Sequence, residues 1–157
     1  MSLFDEMAAG LTGLDQLRAL MASGKKPGML STLDFDLVEI DVGRAVFAGQ
    51  PGEHAYNPLG TVHGGYAATL IDSACGCAVH SRLKPGQTYT TLELKVSFHR
   101  VITKRAGLLR AEGRIVTFAR RAAFAEARLI DEKDRLYASG TSTLLILQHG
   151  PDGHAES

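Results

Sequence analysis

Gly64-Gly65-Tyr66-Ala67-Ala68-Thr69-Leu70-Ile71-Asp72-Ser73-Ala74-Cys75-Gly76-Cys77-Ala78-Val79-His80-Ser81-Arg82-Leu83 is the stretch on which the fold turns. It reads as one long helix, because strands rarely reach this length and Lys84-Pro85-Gly86 supplies a stop directly after it. Ala67, Ala68, Leu70, Ile71, Ala74, Cys75, Ala78 and Val79 leave almost no polar face. A helix that is apolar nearly all round belongs inside a fold.

The segments around it alternate apolar and polar residues with a period of two, the strand signature. Leu33, Phe35 and Leu37 alternate with Asp34 and Asp36, and Arg44 to Gly49 reads as the return strand after Asp41-Val42-Gly43. Beyond the helix, Leu92, Leu94, Val96 and Phe98 alternate with Thr91, Glu93, Lys95 and Ser97. Two further strands run through Leu109–Ile115 and Ala123–Leu129, and a last one through Tyr137–Leu147. Asp131-Glu132-Lys133-Asp134 is short enough for an antiparallel hairpin. A parallel sheet would need a helix between most strands, and the pattern has none there. The fold class expected is α+β, a curved antiparallel sheet of about six strands wrapped around one central helix.

The whole chain, 1–157, reads as a single domain. An amphipathic helix over about 11–22 precedes the core of about 29–147 and reads as a packing strut in preference to a lid. A polar tail over 148–157 is expected to fray.

Lys plus Arg equals Asp plus Glu at 17 each, so the chain lacks the broad positive field that nucleic acid requires. No apolar run is long enough to cross a bilayer, and Met1-Ser2-Leu3-Phe4-Asp5-Glu6 has no signal-peptide pattern, so a cytoplasmic place is expected. Cys75 and Cys77 are two apart on the helix, where side chains diverge, and read as small buried residues. No nucleophile elbow, phosphate loop, dinucleotide fingerprint or zinc spacing occurs, so no metal and no cofactor are expected.

The chemistry concentrates in Asn57 to Asp72. The loop from Gln50 to Val62 feeds the helix through Gly64 and Gly65. A helix start offers unpaired N–H groups and a positive dipole end, so these glycine N–H groups suit a carbonyl oxygen that becomes an oxyanion. Asp72 then stands about two turns inside an apolar helix. A carboxylate there is costly without a partner. It is either paired with a nearby arginine or serves as a base or nucleophile. Asn57 is either a turn residue or a group that orients water or the acid. His63 is either tied to backbone or a donor toward Asn57 or the substrate. Gly65, Tyr66, Arg100, Arg120 and Arg121 are the candidates for substrate contacts, the arginines for anionic groups such as phosphates.

Helix geometry adds a constraint. Gly64 and Asp72 lie about 12 Å apart along the axis and about 80° apart around it. Two groups acting on one carbonyl must come much closer, so they would belong to two chains of a two-fold dimer with shared sites.

The run Asn57…Gly60-Thr61-Val62-His63-Gly64-Gly65…Leu70-Ile71-Asp72 closely resembles the phenylacetate-pathway (PaaI-type) hot-dog thioesterases. The likeness continues through Thr91-Leu92-Glu93-Leu94-Lys95-Val96-Ser97-Phe98 and Ala119-Arg120-Arg121-Ala122-Ala123 and covers about 30–147. It implies a hot-dog fold and hydrolysis of an acyl- or aryl-CoA, with CoA as part of the substrate. It also implies a homodimer that pairs again into a homotetramer. Asp72 matches the catalytic carboxylate, Gly64 the glycine that polarises the thioester carbonyl, and Asn57 and His63 supporting loop residues. Thr91 matches the hydroxyl residue of the next strand, with Thr90 standing beside it. His99-Arg100-Val101-Ile102-Thr103-Lys104 departs from the family's Leu-Arg-Pro-Ala-like phrase. The alternatives are a non-catalytic acyl-CoA binder, or a dehydratase using a loop histidine with a helix acid.

Overall fold

The structure, a computed structural model, describes residues 10–149 and 155–156. Helix α1 spans Gly13–Ser23 and starts where the Thr12 side chain accepts the Asp15 N–H at 3.3 Å. Its buried side is Leu17 and Leu20, with Asp15 and Arg18 in water, and Gly24 ends it in the left-handed region. A short helix α2, Met29–Leu33, follows. The alternation through Leu33 predicted strand there. Asp34 instead adopts φ 53° and closes the helix, a conformation that aspartate tolerates better than most side chains.

The strand β1 therefore begins at Phe35 and runs to Asp41, and β2 is Arg44–Gly49. Helix α3, Gly64–His80, is the predicted central helix. It stops three residues before Leu83, because the Ser81 hydroxyl bonds back to Ala78 O at 2.7 Å and takes the Gly43 N–H at 2.7 Å. Then come β3 (Gln87–Phe98), β4 (Leu109–Phe118), β5 (Ala122–Asp131), β6 (Leu136–His149) and a two-residue β7 (Ala155–Glu156). Much of the tail expected to fray lies outside the described residues. Of the part described, Gln148 and His149 end β6 and pair with β7.

All strands are antiparallel, in the order β1-β2-β4-β5-β6-β3, so β1 and β3 are the edges. The sheet curls around α3, and Leu70, Ile71, Ala74, Cys75, Ala78 and Val79 of that helix are fully buried. Two strand glycines allow the close approach. A Cβ on Gly113 would stand 2.3 Å from Ala74 O, and one on Gly140 would stand 2.7 Å from Ile71 Cγ2. The outer face of the sheet carries charge instead, with Arg44 paired to Glu39 at 2.8 Å and to Glu112 at 3.3 Å.

One irregularity decides where the site forms. Strict alternation would send Thr91 outward with Glu93 while Leu92 and Leu94 point in. The register of β3 on β6 instead pairs Thr91 with Leu144 and Glu93 with Thr143, which leaves Leu92 as an unpaired extra residue. The bulge resets the phase. Thr91 and Leu94 both face the helix, and Leu92 is 60% exposed.

Candidate active site

The loop that feeds α3 is built by Asn57. Its Oδ1 accepts the Leu59 N–H at 2.9 Å and the Thr61 N–H at 3.2 Å, and its Nδ2 donates to Thr61 Oγ1 at 2.9 Å. Of the two readings of Asn57, the geometry favours the turn residue. The loop is anchored by His63 N–H to Ala55 O at 2.8 Å and Val62 N–H to Ile102 O at 2.9 Å.

His63 caps the helix, its Nδ1 accepting the Gly65 N–H at 2.8 Å. It is thus tied to backbone and makes no bond to Asn57. The cap also sorts the two glycines. Gly65's N–H is occupied, whereas Gly64's N–H has no acceptor among the described residues. Gly64 opens on a cavity of about 380 Å³ lined by Thr61, Val62, Phe98, Arg100 and Val101. The Phe98 ring lies so near that a Cβ on Gly64 would stand 3.1 Å from it.

Asp72 stands further along α3, partly exposed. Among the described residues no cation pairs with it, so the arginine-paired reading does not hold. Its Oδ1 accepts the Thr91 hydroxyl at 3.1 Å, which separates Thr91 from Thr90. Tyr89, which sequence reasoning did not single out, faces the helix one turn beyond; a Cβ on Gly76 would meet its hydroxyl at 2.8 Å. Cys75 and Cys77 are free, and burial, with the nearby Asp72 charge behind it, pushes both thiols up to about 12.

The remaining candidates scatter. Tyr66 is 2% exposed, and burial raises its phenol to about 12. Its unpaired hydroxyl packs where a Cβ on Gly49 would fall, so it does not offer that group to a ligand. Arg100 rims the Gly64 cavity with its guanidinium 5.9 Å from the centre of the Tyr137 ring. Arg120 and Arg121 are exposed in the β4–β5 turn, beside the Leu145 end of β6. Arg100 follows the other end of the β3–β6 ladder. One chain does not bring these arginines together, and it does not bring Gly64 to Asp72.

The model of the Thioesterase superfamily matches residues 59–138. A 1,4-dihydroxy-2-naphthoyl-CoA hydrolase of Listeria monocytogenes is 23% identical over 119 residues, 76% of this chain and 95% of the relative. A phenylacetic acid degradation-related protein of Ralstonia eutropha superposes with a TM-score of 0.72 at 27% identity, covering 82% of this chain and 96% of that one. The PaaI protein of Escherichia coli gives 0.73 at 19% identity, covering 88% and 94%, a likeness of fold. The antiparallel sheet wrapped on one helix is the hot-dog arrangement of these thioesterases.

Proposed function

The chain belongs to the Thioesterase superfamily, and from that premise we propose that it hydrolyses an acyl-CoA to free acid and CoA, with Asp72 as base or nucleophile. The observation that carries this reading is Asp72 itself, a carboxylate on an apolar helix that, among the described residues, has no cation beside it and is held by the Thr91 hydroxyl. Structural carboxylates are usually paired, as Asp131 is. Burial would raise that group, but hydrogen bonds from Arg135, Lys133 and Tyr137 hold it at about 2.

The proposed site is completed by a second copy. β3 is an open edge with Leu92 and Phe98 more than half exposed. Pairing it with the partner's β3 about a two-fold axis sets the start of one strand beside the end of the other. Asp72 of the partner subunit then approaches Gly64 and Phe98. Arg120 of the partner subunit and the partner's Arg121 approach Arg100, giving the CoA phosphates one basic cluster. Two such dimers forming a tetramer is part of the same proposal.

The thioester carbonyl oxygen accepts the free Gly64 N–H. The partner's Asp72 either takes a proton from an attacking water or attacks the carbonyl carbon itself. The C–S bond then breaks and CoA leaves as a thiolate. In the first case the proton taken by the partner's Asp72 passes to that thiolate. In the second the thiolate is protonated by solvent, and water hydrolyses the anhydride between the acyl group and the partner's Asp72 to the free acid, restoring the carboxylate. A pure acyl-CoA binder would have no use for an unpaired acid, and His63, committed to its cap, is a poor dehydratase base.

The test is release of free CoA from a panel of acyl-CoAs. Asp72→Asn is expected to lower kcat by about 10²–10⁴-fold while acyl-CoA binding persists. Near-normal turnover by that variant would remove Asp72 from the mechanism.

A further inference from the structure

Two cavities flank the first turn of α3, and they differ in charge. The one beside Gly64 carries Arg100 on its rim, and Lys104 and Arg105 follow on the same loop. The other, also about 380 Å³, lies against Gly65, Tyr66 and Thr69 and is walled by Met29 and Leu33 of α2 and by Tyr56. Its lining contains no Lys, Arg, Asp or Glu. The histidines there, His54 and His63, have ring nitrogens engaged with Leu33 O at 3.0 Å and Gly65 N–H at 2.8 Å.

A thioester has the same asymmetry. Its CoA half is a polyanion, its acyl half is uncharged, and its carbonyl lies between them. With the carbonyl oxygen at the Gly64 N–H, the phosphates favour the basic side. The acyl group is left with the uncharged side. Gly65 and Thr69 stand at i and i+4, so the cavity follows one stripe of the first turns of α3, next to the Gly64 N–H.

We infer that the α2-walled cavity holds the acyl group, and that Met29 and Leu33 set the largest acyl that fits. The inference rests on the thioesterase reading above. Both wall residues precede the span 59–138 that the family model matches, so the family alignment does not assign them. The volume is at the small end of the roughly 300–1,000 Å³ typical of ligand pockets. It suits a compact acyl group, a ring or a short branched chain, better than a long extended one. Met29 is 56% exposed, which gives a larger side chain room to enter.

The test pairs binding with turnover. Binding of free CoA and of a non-hydrolysable benzyl thioether of CoA is measured by calorimetry. Turnover is followed with acetyl-, benzoyl- and palmitoyl-CoA. Met29→Trp is expected to weaken thioether binding at least about tenfold relative to free CoA, the filled pocket excluding the ring. Leu33→Ala is expected to move the kcat/KM ratio toward the longer acyl group. Val101→Trp, in the Gly64 cavity, is expected to weaken CoA and thioether alike. If Met29→Trp and Leu33→Ala both leave acyl discrimination as it was, or Val101→Trp alone changes it, the acyl group lies elsewhere and the inference fails. Failure of the wild-type protein to bind the thioether also overturns it. If no acyl-CoA is hydrolysed yet thioether binding responds to Met29→Trp, the hydrolase reading fails and the cavity assignment stands.

Discussion

A hydroxyl that donates to one oxygen of a carboxylate fixes where the other oxygen points. Thr91 does this for Asp72 at 3.1 Å. Hydrogen bonds to charged groups contribute about 1.5–3 kcal/mol, so Thr91→Val is expected to lower kcat by roughly 10–100-fold. Thr90→Val, altering the exposed neighbour, is expected to stay within about twofold, as surface substitutions usually do. Steady-state turnover of both variants on one acyl-CoA checks this, and equal losses would return the choice between the threonines to open. Asp72 stood out in the sequence because an acid inside an apolar helical run needs either a cation beside it or a chemical use. Thr91 was legible only as one of two, since a bulge leaves no mark in the alternation around it. Asn57 and His63 were found by spacing, and their work was legible only as one of two readings each. Both spend their hydrogen bonds on the loop and the cap, and those bonds depend on backbone geometry that residue types do not reveal.

The helix α1 illustrates what an element adds. It docks on the end of α3 so tightly that a Cβ on Gly13 would stand 1.8 Å from His80 O, and the Gly13 N–H donates to Leu83 O at 3.0 Å. His80 Nε2 meets Gln16 Oε1 at 2.8 Å, and the His80 ring packs edge-on to Tyr89 at 5.7 Å. This is a strut, and its amphipathic pattern made it legible. Helix α2 was not, because five residues with Ser31 and Thr32 inside carry too little periodicity to register. Burial lowers His80 to about 4. In the unfolded chain the same group titrates near 6.5. Between those values the unfolded chain binds a proton that the folded one refuses, so stability rises with pH across the window and falls on acidification. The whole span corresponds to roughly 3 kcal/mol. Asp131, held at about 2 when folded, binds its proton at about 4 in the unfolded chain, so it and the other paired carboxylates steepen the slope only toward the acid end, and the His80 contribution is read above about pH 5. Denaturant unfolding of wild type and His80→Asn at several pH values between about 5 and 6.5 reads the slope. The variant is expected to lose most of it, and an unchanged slope would assign the acid sensitivity to other groups.

At the scale of the whole molecule, the two sheet edges are treated differently. The β1 edge is guarded by charge, with Lys26 bridging Asp34 at 2.9 Å and Asp36 at 3.0 Å. The β3 edge offers Leu92 and Phe98 and leaves Gly64 and Asp72 on separate parts of one helix. Helix geometry made that separation legible without coordinates, and it yields the most decisive prediction. Two inactive proteins are mixed under conditions where subunits exchange. One is Asp72→Asn. The other is Gly64→Pro, which removes the free N–H and is compatible with the first position of a helix. His63 before it is already extended, at φ −62° and ψ 136°, the conformation that a following proline demands. Phe98, at 56% exposure, has room to move from the new ring. In a heterodimer, one site combines the intact Gly64 of the first chain with the intact Asp72 of the second, and the other site has neither. Random exchange makes half the dimers mixed, so activity is expected to return to roughly a quarter of wild type. Exchange verified by mass, with no return of activity, would place the whole site within one chain. A fully active monomer would do the same.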